Sequence, residues 1–75
     1  MKITTIEHLA ERINHANKTH GMFASKQHAI DAARIELMDA EVAAKYHTIR
    51  DFRAELLDTA VVCIRAAEQF GGVNG

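Results

Sequence analysis

Apolar residues recur along this chain at steps of three and four, the spacing of one face of an α-helix, in three successive stretches. In the first, Ile6, Leu9, Ile13 and Ala16 form a stripe that predicts a helix over residues 5–18. Thr4, with Glu7 three positions on, fits a capping box at its start. His20-Gly21 is the expected stop, with Gly21 supplying a left-handed cap. A short link, Met22-Phe23-Ala24, follows, and Phe23 is expected to plug the helix junction. Ser25 is a good N-cap for a second helix over residues 26–46, striped by Ile30, Ala33, Leu37, Ala40 and Ala44. Its Ala29, Ala32, Ala43 and Ala44 would let a neighbouring helix approach closely. His47-Thr48 interrupts the pattern. Thr48 can cap a third helix, with Asp51 in its first turn opposing the helix dipole. There Ile49, Phe52, Leu56, Ala60, Cys63, Ala67 and Phe70 recur with a period near 3.5, the pattern of a bundle seam. Gly71-Gly72 ends this helix, and residues 72–75 read as a loose tail.

The pattern predicts a single all-α domain over residues 1–75. Helix 1 occupies 1–21, and an antiparallel helical hairpin occupies 22–71. The absence of Pro and the presence of only 4 Gly agree with it. A chain of 75 residues buries only about 60% of its unfolded surface, so it needs a staple. Cys63 is the only cysteine, which excludes an internal disulfide, and its apolar setting reads as core. No zinc-type Cys/His spacing exists. Oligomerisation remains: two hairpins from two subunits would make a four-helix-type bundle, so a homodimer or higher oligomer is expected. A net charge of −1 with no basic stripe argues against nucleic acid as a partner. No apolar run approaches about 20 residues and no signal-peptide core follows Met1-Lys2, so a soluble cytoplasmic protein without membrane contact is expected.

Within these helices the chemistry concentrates in two acidic tetrads, Glu36-Leu37-Met38-Asp39 and Glu55-Leu56-Leu57-Asp58. Residues i and i+3 share a helix face, so each tetrad presents a carboxylate pair. Both pairs lie at the edge of an apolar stripe. Two such helices side by side would converge four carboxylates, the way helical bundles build Mg²⁺ or Mn²⁺ sites. The alternative is two solvated flanks, with Glu36 and Asp39 paired to Arg34, Lys45 or Arg53.

The tetrads and their spacing resemble the MazG-like, all-α nucleoside triphosphate pyrophosphohydrolases, especially short phage-type members. Glu55-Leu56-Leu57-Asp58 matches that family's ExxD helix as it stands. Glu36-Leu37-Met38-Asp39 matches its ExxE helix with Asp in place of the last Glu, and Ile35 stands where many members carry a further acid. The 15 residues from Ala40 to Ala54 suit the family spacing. The resemblance implies cleavage of a nucleoside triphosphate, ribo- or deoxyribo-, to the monophosphate and pyrophosphate. It implies Mg²⁺ (or Mn²⁺) held by Glu36, Asp39, Glu55 and Asp58, with Glu36 and Glu55 as the catalytic carboxylates, in a bacterial cell or phage-infected host. The rival expectation is a non-catalytic helical module that sequesters a nucleotide or inhibits a host protein, as in phage anti-defence.

Lys45, Arg50 and Arg53, around the turn between helices 2 and 3, are candidates for substrate phosphate contacts, or are plain surface charges. Arg65 is either a phosphate contact or a partner for Glu68 or a neighbouring subunit. His28 is a first-turn polar residue or a nucleotide contact, and Tyr46 reads as core. No nucleophile–base pair and no glycine-rich phosphate loop can be argued.

Overall fold

The computed structural model describes residues 1–71, and within them the chain is all-helical: α1 (Ile3–Thr19), α2 (Lys26–Tyr46) and α3 (Ile49–Gly71). The expected tail at 72–75, with Gly72 of the expected stop, lies outside the described residues. Two of the caps are those the sequence carries. The Ser25 hydroxyl accepts from the His28 amide at 3.0 Å, and the Thr48 hydroxyl from the Asp51 amide at 3.2 Å. The start of α1 differs. The Lys2 carbonyl accepts from the Thr5 and Ile6 amides, so helix begins at Ile3, and Thr4 lies inside the first turn where it cannot cap. Gly21 differs too. α1 ends on an extended His20, whose amide donates to the Ala16 carbonyl at 2.8 Å, and Gly21 takes no left-handed conformation.

α2 and α3, joined by His47 and Thr48 alone, form an antiparallel hairpin: Phe23, just before α2, meets Gln69, near the end of α3. α1 runs parallel to α3. His8 meets Arg53, Arg12 meets Asp58 and Asn17 meets Arg65. α1 packs on α3 and leaves α2 alone.

The face of α2 that meets α3 is its row of small residues. Ala29, Ala40 and Ala43 are buried, with Ala32, Ala33 and Glu36 half-buried between them, and Val61 is the buried residue opposite on α3. Methyl-sized side chains let the helix axes approach closely, and this decides which stripe the hairpin uses. The stripes of larger residues therefore face outward. Ile30, Leu37, Leu56 and Phe70 are each more than two-fifths exposed, and Ile49 is 86% exposed. The expected seam of α3 is thus mostly outside the protomer, and Cys63, expected in the core, is exposed with it. Tyr46, also expected in the core, is 78% exposed at the end of α2, where no element covers it. Phe23 does plug the junction. It is half-buried under the Arg65 guanidinium, 5.3 Å from its ring centre, with the His28 ring edge-on at 5.6 Å.

Candidate functional site

Residues seven apart share a helix face, so Ala29, Glu36 and Ala43 stand in line toward α3. Glu36 is the one ionisable member of that alanine row. One turn on, Asp39 lies at its exposed edge, and α3 supplies Glu55 and Asp58 from the facing side. Carboxylate oxygens of Glu36, Asp39 and Glu55 all lie within 4.8 Å of one another. The fourth acid, Asp58, is turned aside to α1, where its Oδ1 accepts from Arg12 Nη1 at 2.7 Å. Glu36 is the hub of the set. Burial, and then the charges of Asp58, Asp39 and Glu55 in that order, raise its pKa above the usual carboxylate value, and His20 opposes them.

The pairing of Glu36 or Asp39 with Arg34, Lys45 or Arg53 does not form: among the described residues, no ion pair involves Glu36, Asp39 or Glu55. Three close carboxylates without a cation repel one another, and a divalent ion removes that conflict. Mg²⁺ holds oxygens at about 2.1 Å, which puts ligand oxygens across it about 4.2 Å apart. Neighbouring ligands on the same ion lie closer, about 3 Å apart, so the trio would have to draw together around it; its all-oxygen donor set suits Mg²⁺ or Mn²⁺.

Two clefts of about 380 Å³ lie at the acidic residues. One is lined by Glu36, Asp58, Arg12, His15, His20 and Arg65, among others. The other holds Asp39 and Glu55 beside His47 and Asp51. A third, of about 300 Å³, runs from Glu36 past Ala32 and Val62 to Met22, Phe23 and His28. His28 is fixed there, its Nδ1 accepting from the Ala24 amide at 2.9 Å. That bond leaves the Nε2 position as the donor of the neutral ring.

Of the cations named from sequence, Lys45, Arg50 and Arg53 lie outside the clefts that hold Glu36. Arg50 and Arg53 line a groove with His8, Glu11, Arg12 and Ala54, and Arg53 Nη2 lies 3.3 Å from His8 Nδ1. Lys45 is exposed in the last turn of α2. Arg65 is committed to structure. It donates from Nε to Asn17 Oδ1 at 2.9 Å and from Nη2 to the Gly21 carbonyl at 2.9 Å, while covering Phe23. The cation that does meet the acids, Arg12, was not singled out by the sequence. Its signal was its place among Leu9, Ile13 and Ala16, a charge inside the apolar stripe of α1.

No helix among the described residues is long and apolar enough to cross a membrane. Compared with protein-family models, curated proteins and solved structures, the chain matches none of them.

Proposed function

We propose that the chain is a Mg²⁺-dependent nucleoside triphosphate pyrophosphohydrolase of MazG-like type, releasing pyrophosphate and a nucleoside monophosphate. One observation carries the reading: carboxylate oxygens from two different helices lie within 4.8 Å of one another, and no protein cation pairs with them among the described residues. Glu36, Asp39 and Glu55 would hold the ion, and Asp58 joins them once it leaves Arg12. A bound Mg²⁺ supplies charge neutralisation at phosphate and lowers the pKa of water. Glu36, whose proton affinity is raised by burial and then by its neighbours, is the carboxylate suited to take a proton from the attacking water. Glu55 holds its position from the opposite helix. The clefts either side of Glu36 give a polyphosphate and its nucleoside room along the hairpin.

The proposed unit is a dimer. An 8.3 kDa monomeric protein exposes about 4,600 Å² by the usual size scaling, whereas this protomer exposes 5769 Å². Ile30, Leu37 and Ala44 on α2, and Ile49, Leu56, Cys63 and Phe70 on α3, are spaced by seven and form uncharged outward stripes. A second copy packed hairpin on hairpin covers them.

The engagement of Asp58 with Arg12 favours one competing reading, a module that binds a nucleotide without cleaving it. Pyrophosphate release separates the two. The protein, incubated with Mg²⁺ and a panel of ribo- and deoxyribonucleoside triphosphates, is expected to release pyrophosphate, and Glu55→Gln to abolish it. Metal-dependent nucleotide binding without product would establish the sequestering module instead. No binding and no product would overturn both.

A further inference from the structure

The Arg12–Asp58 pair joins the acidic site to α1, and its surroundings give it a role beyond holding the helix. Both side chains are about two-fifths exposed, so the pair sits half in solvent, where such bridges are weak enough to exchange. Arg12 makes this single bond: among the described residues, its Nε and Nη2 donate to no protein atom. The other guanidinium at this cleft, Arg65, is committed to loop carbonyls and Phe23, and Arg53 faces His8. Arg12 is therefore the guanidinium with spare donors in the cleft shared by Glu36 and Asp58. A planar guanidinium donates to phosphate oxygens in pairs.

We propose that Arg12 is an exchangeable phosphate ligand, resting on Asp58 until a divalent cation takes that carboxylate and then donating to a phosphate oxygen of the nucleotide. The proposal rests on the pyrophosphohydrolase reading and names a residue that binds its substrate. Neither group is left without an opposite charge: the cation replaces the guanidinium at Asp58, and the polyphosphate replaces Asp58 at the guanidinium. Asp58 thereby becomes the fourth ligand only when metal is present, and α1 senses the occupied site.

The test separates metal from nucleotide. Mn²⁺ alone is titrated by calorimetry into wild type, Arg12→Gln and Arg12→Lys, and an α,β-imido nucleoside triphosphate is then added with Mn²⁺ present. Freed of its competitor, Asp58 should bind Mn²⁺ about threefold more tightly in Arg12→Gln. The analogue should bind about tenfold more weakly, with Arg12→Lys between the two. An unchanged or weaker Mn²⁺ affinity together with an unchanged analogue affinity in Arg12→Gln would overturn the exchange. If wild type still releases pyrophosphate in that case, the enzymatic reading stands and only the role of Arg12 falls. If wild type neither binds Mn²⁺ nor releases pyrophosphate, both fall. Should Arg12→Gln lose its helical circular dichroism, the wild-type protein decides. The ¹⁵N-resolved Nε–H signal of Arg12 should shift on adding Mg²⁺ and again on adding the analogue, and a signal unmoved by both would sink the proposal.

Discussion

Glu36 puts a carboxyl where the contact between α2 and α3 otherwise carries alanine methyl groups, and the fold bears the consequence. Its proton affinity is raised first by burial and then by three neighbouring carboxylates. In the unfolded chain the group titrates near 4.5. Between that value and its higher folded one, the native state holds a proton that the unfolded chain has released. This contribution to stability is complete below pH 4.5 and is lost as pH rises through the folded value. Glu36→Gln removes the charge at nearly constant shape. In metal-free buffer it should melt above wild type at about pH 7 and match it near about pH 4. Equal melting temperatures at both pH values would refute the account. Added Mg²⁺ should raise the melting temperature of wild type and leave that of Glu36→Gln nearly unchanged, because a ligand stabilises only the form it binds. At this scale the sequence was informative about local chemistry. Ser25 and Thr48 cap as expected, because a cap involves residues three apart. The i/i+3 spacing likewise put Glu36 and Asp39 on one face. The partner of Asp58 lies 46 residues away and depends on how α1 docks, which no local pattern encodes.

At the scale of elements, the segment between α1 and α2 is held by side chains of α3. Gln69 donates from Nε2 to the Phe23 carbonyl and accepts from the Phe23 amide at Oε1, both at 2.8 Å, so one amide satisfies both backbone groups. Truncating it leaves two half-buried backbone groups unpaired. Gln69→Ala should cost about 1–3 kcal/mol in urea denaturation, whereas Glu68→Ala, on the exposed side, should cost less than about 0.5 kcal/mol. Similar losses for the two variants would contradict this staple. Gly21 is open to improvement. It has no left-handed backbone to protect, and a Cβ there meets nothing within 4 Å. Gly21→Ala should therefore add about 0.4–1 kcal/mol by restricting the unfolded chain, a gain readable from the same denaturation curves. The positions of the helices were legible from periodicity, and Ala29, Ala32 and Ala43 were legible as a close-approach face, yet the stripe of Ile30 and Leu37 competed with it. The chain offers two stripes: small residues at Ala29, Ala40 and Ala43, and larger ones at Ile30 and Leu37. Both satisfy a helical period, and only packing shows that the small stripe meets α3.

That choice shapes the whole molecule. The protomer has a radius of gyration of 13.0 Å, above the roughly 11 Å of a compact 75-residue domain, and among the described residues no large side chain is fully buried. Its buried residues are three alanines and Val61, with Glu36 half-buried among them, while Ile30, Leu37, Ile49 and Leu56 are exposed. The proposed dimer would cover these stripes by two-fold symmetry. Leu56 stands near the centre of the α3 stripe, one residue from Glu55 in sequence and about 100° round the helix from it. Leu56→Glu should therefore break assembly while leaving the carboxylate trio of its own protomer intact. By light scattering on a sizing column, wild type should run at twice the 8.3 kDa chain mass and Leu56→Glu at the chain mass. The melting temperature of wild type should rise with protein concentration, and that of the variant should be lower and independent of it, because association is part of the folding equilibrium. Lys45→Glu, a larger charge change off the stripe, should change neither. A wild-type protein that is monomeric at all concentrations, with Leu56→Glu equally stable, would mean that the exposed stripes need no second copy.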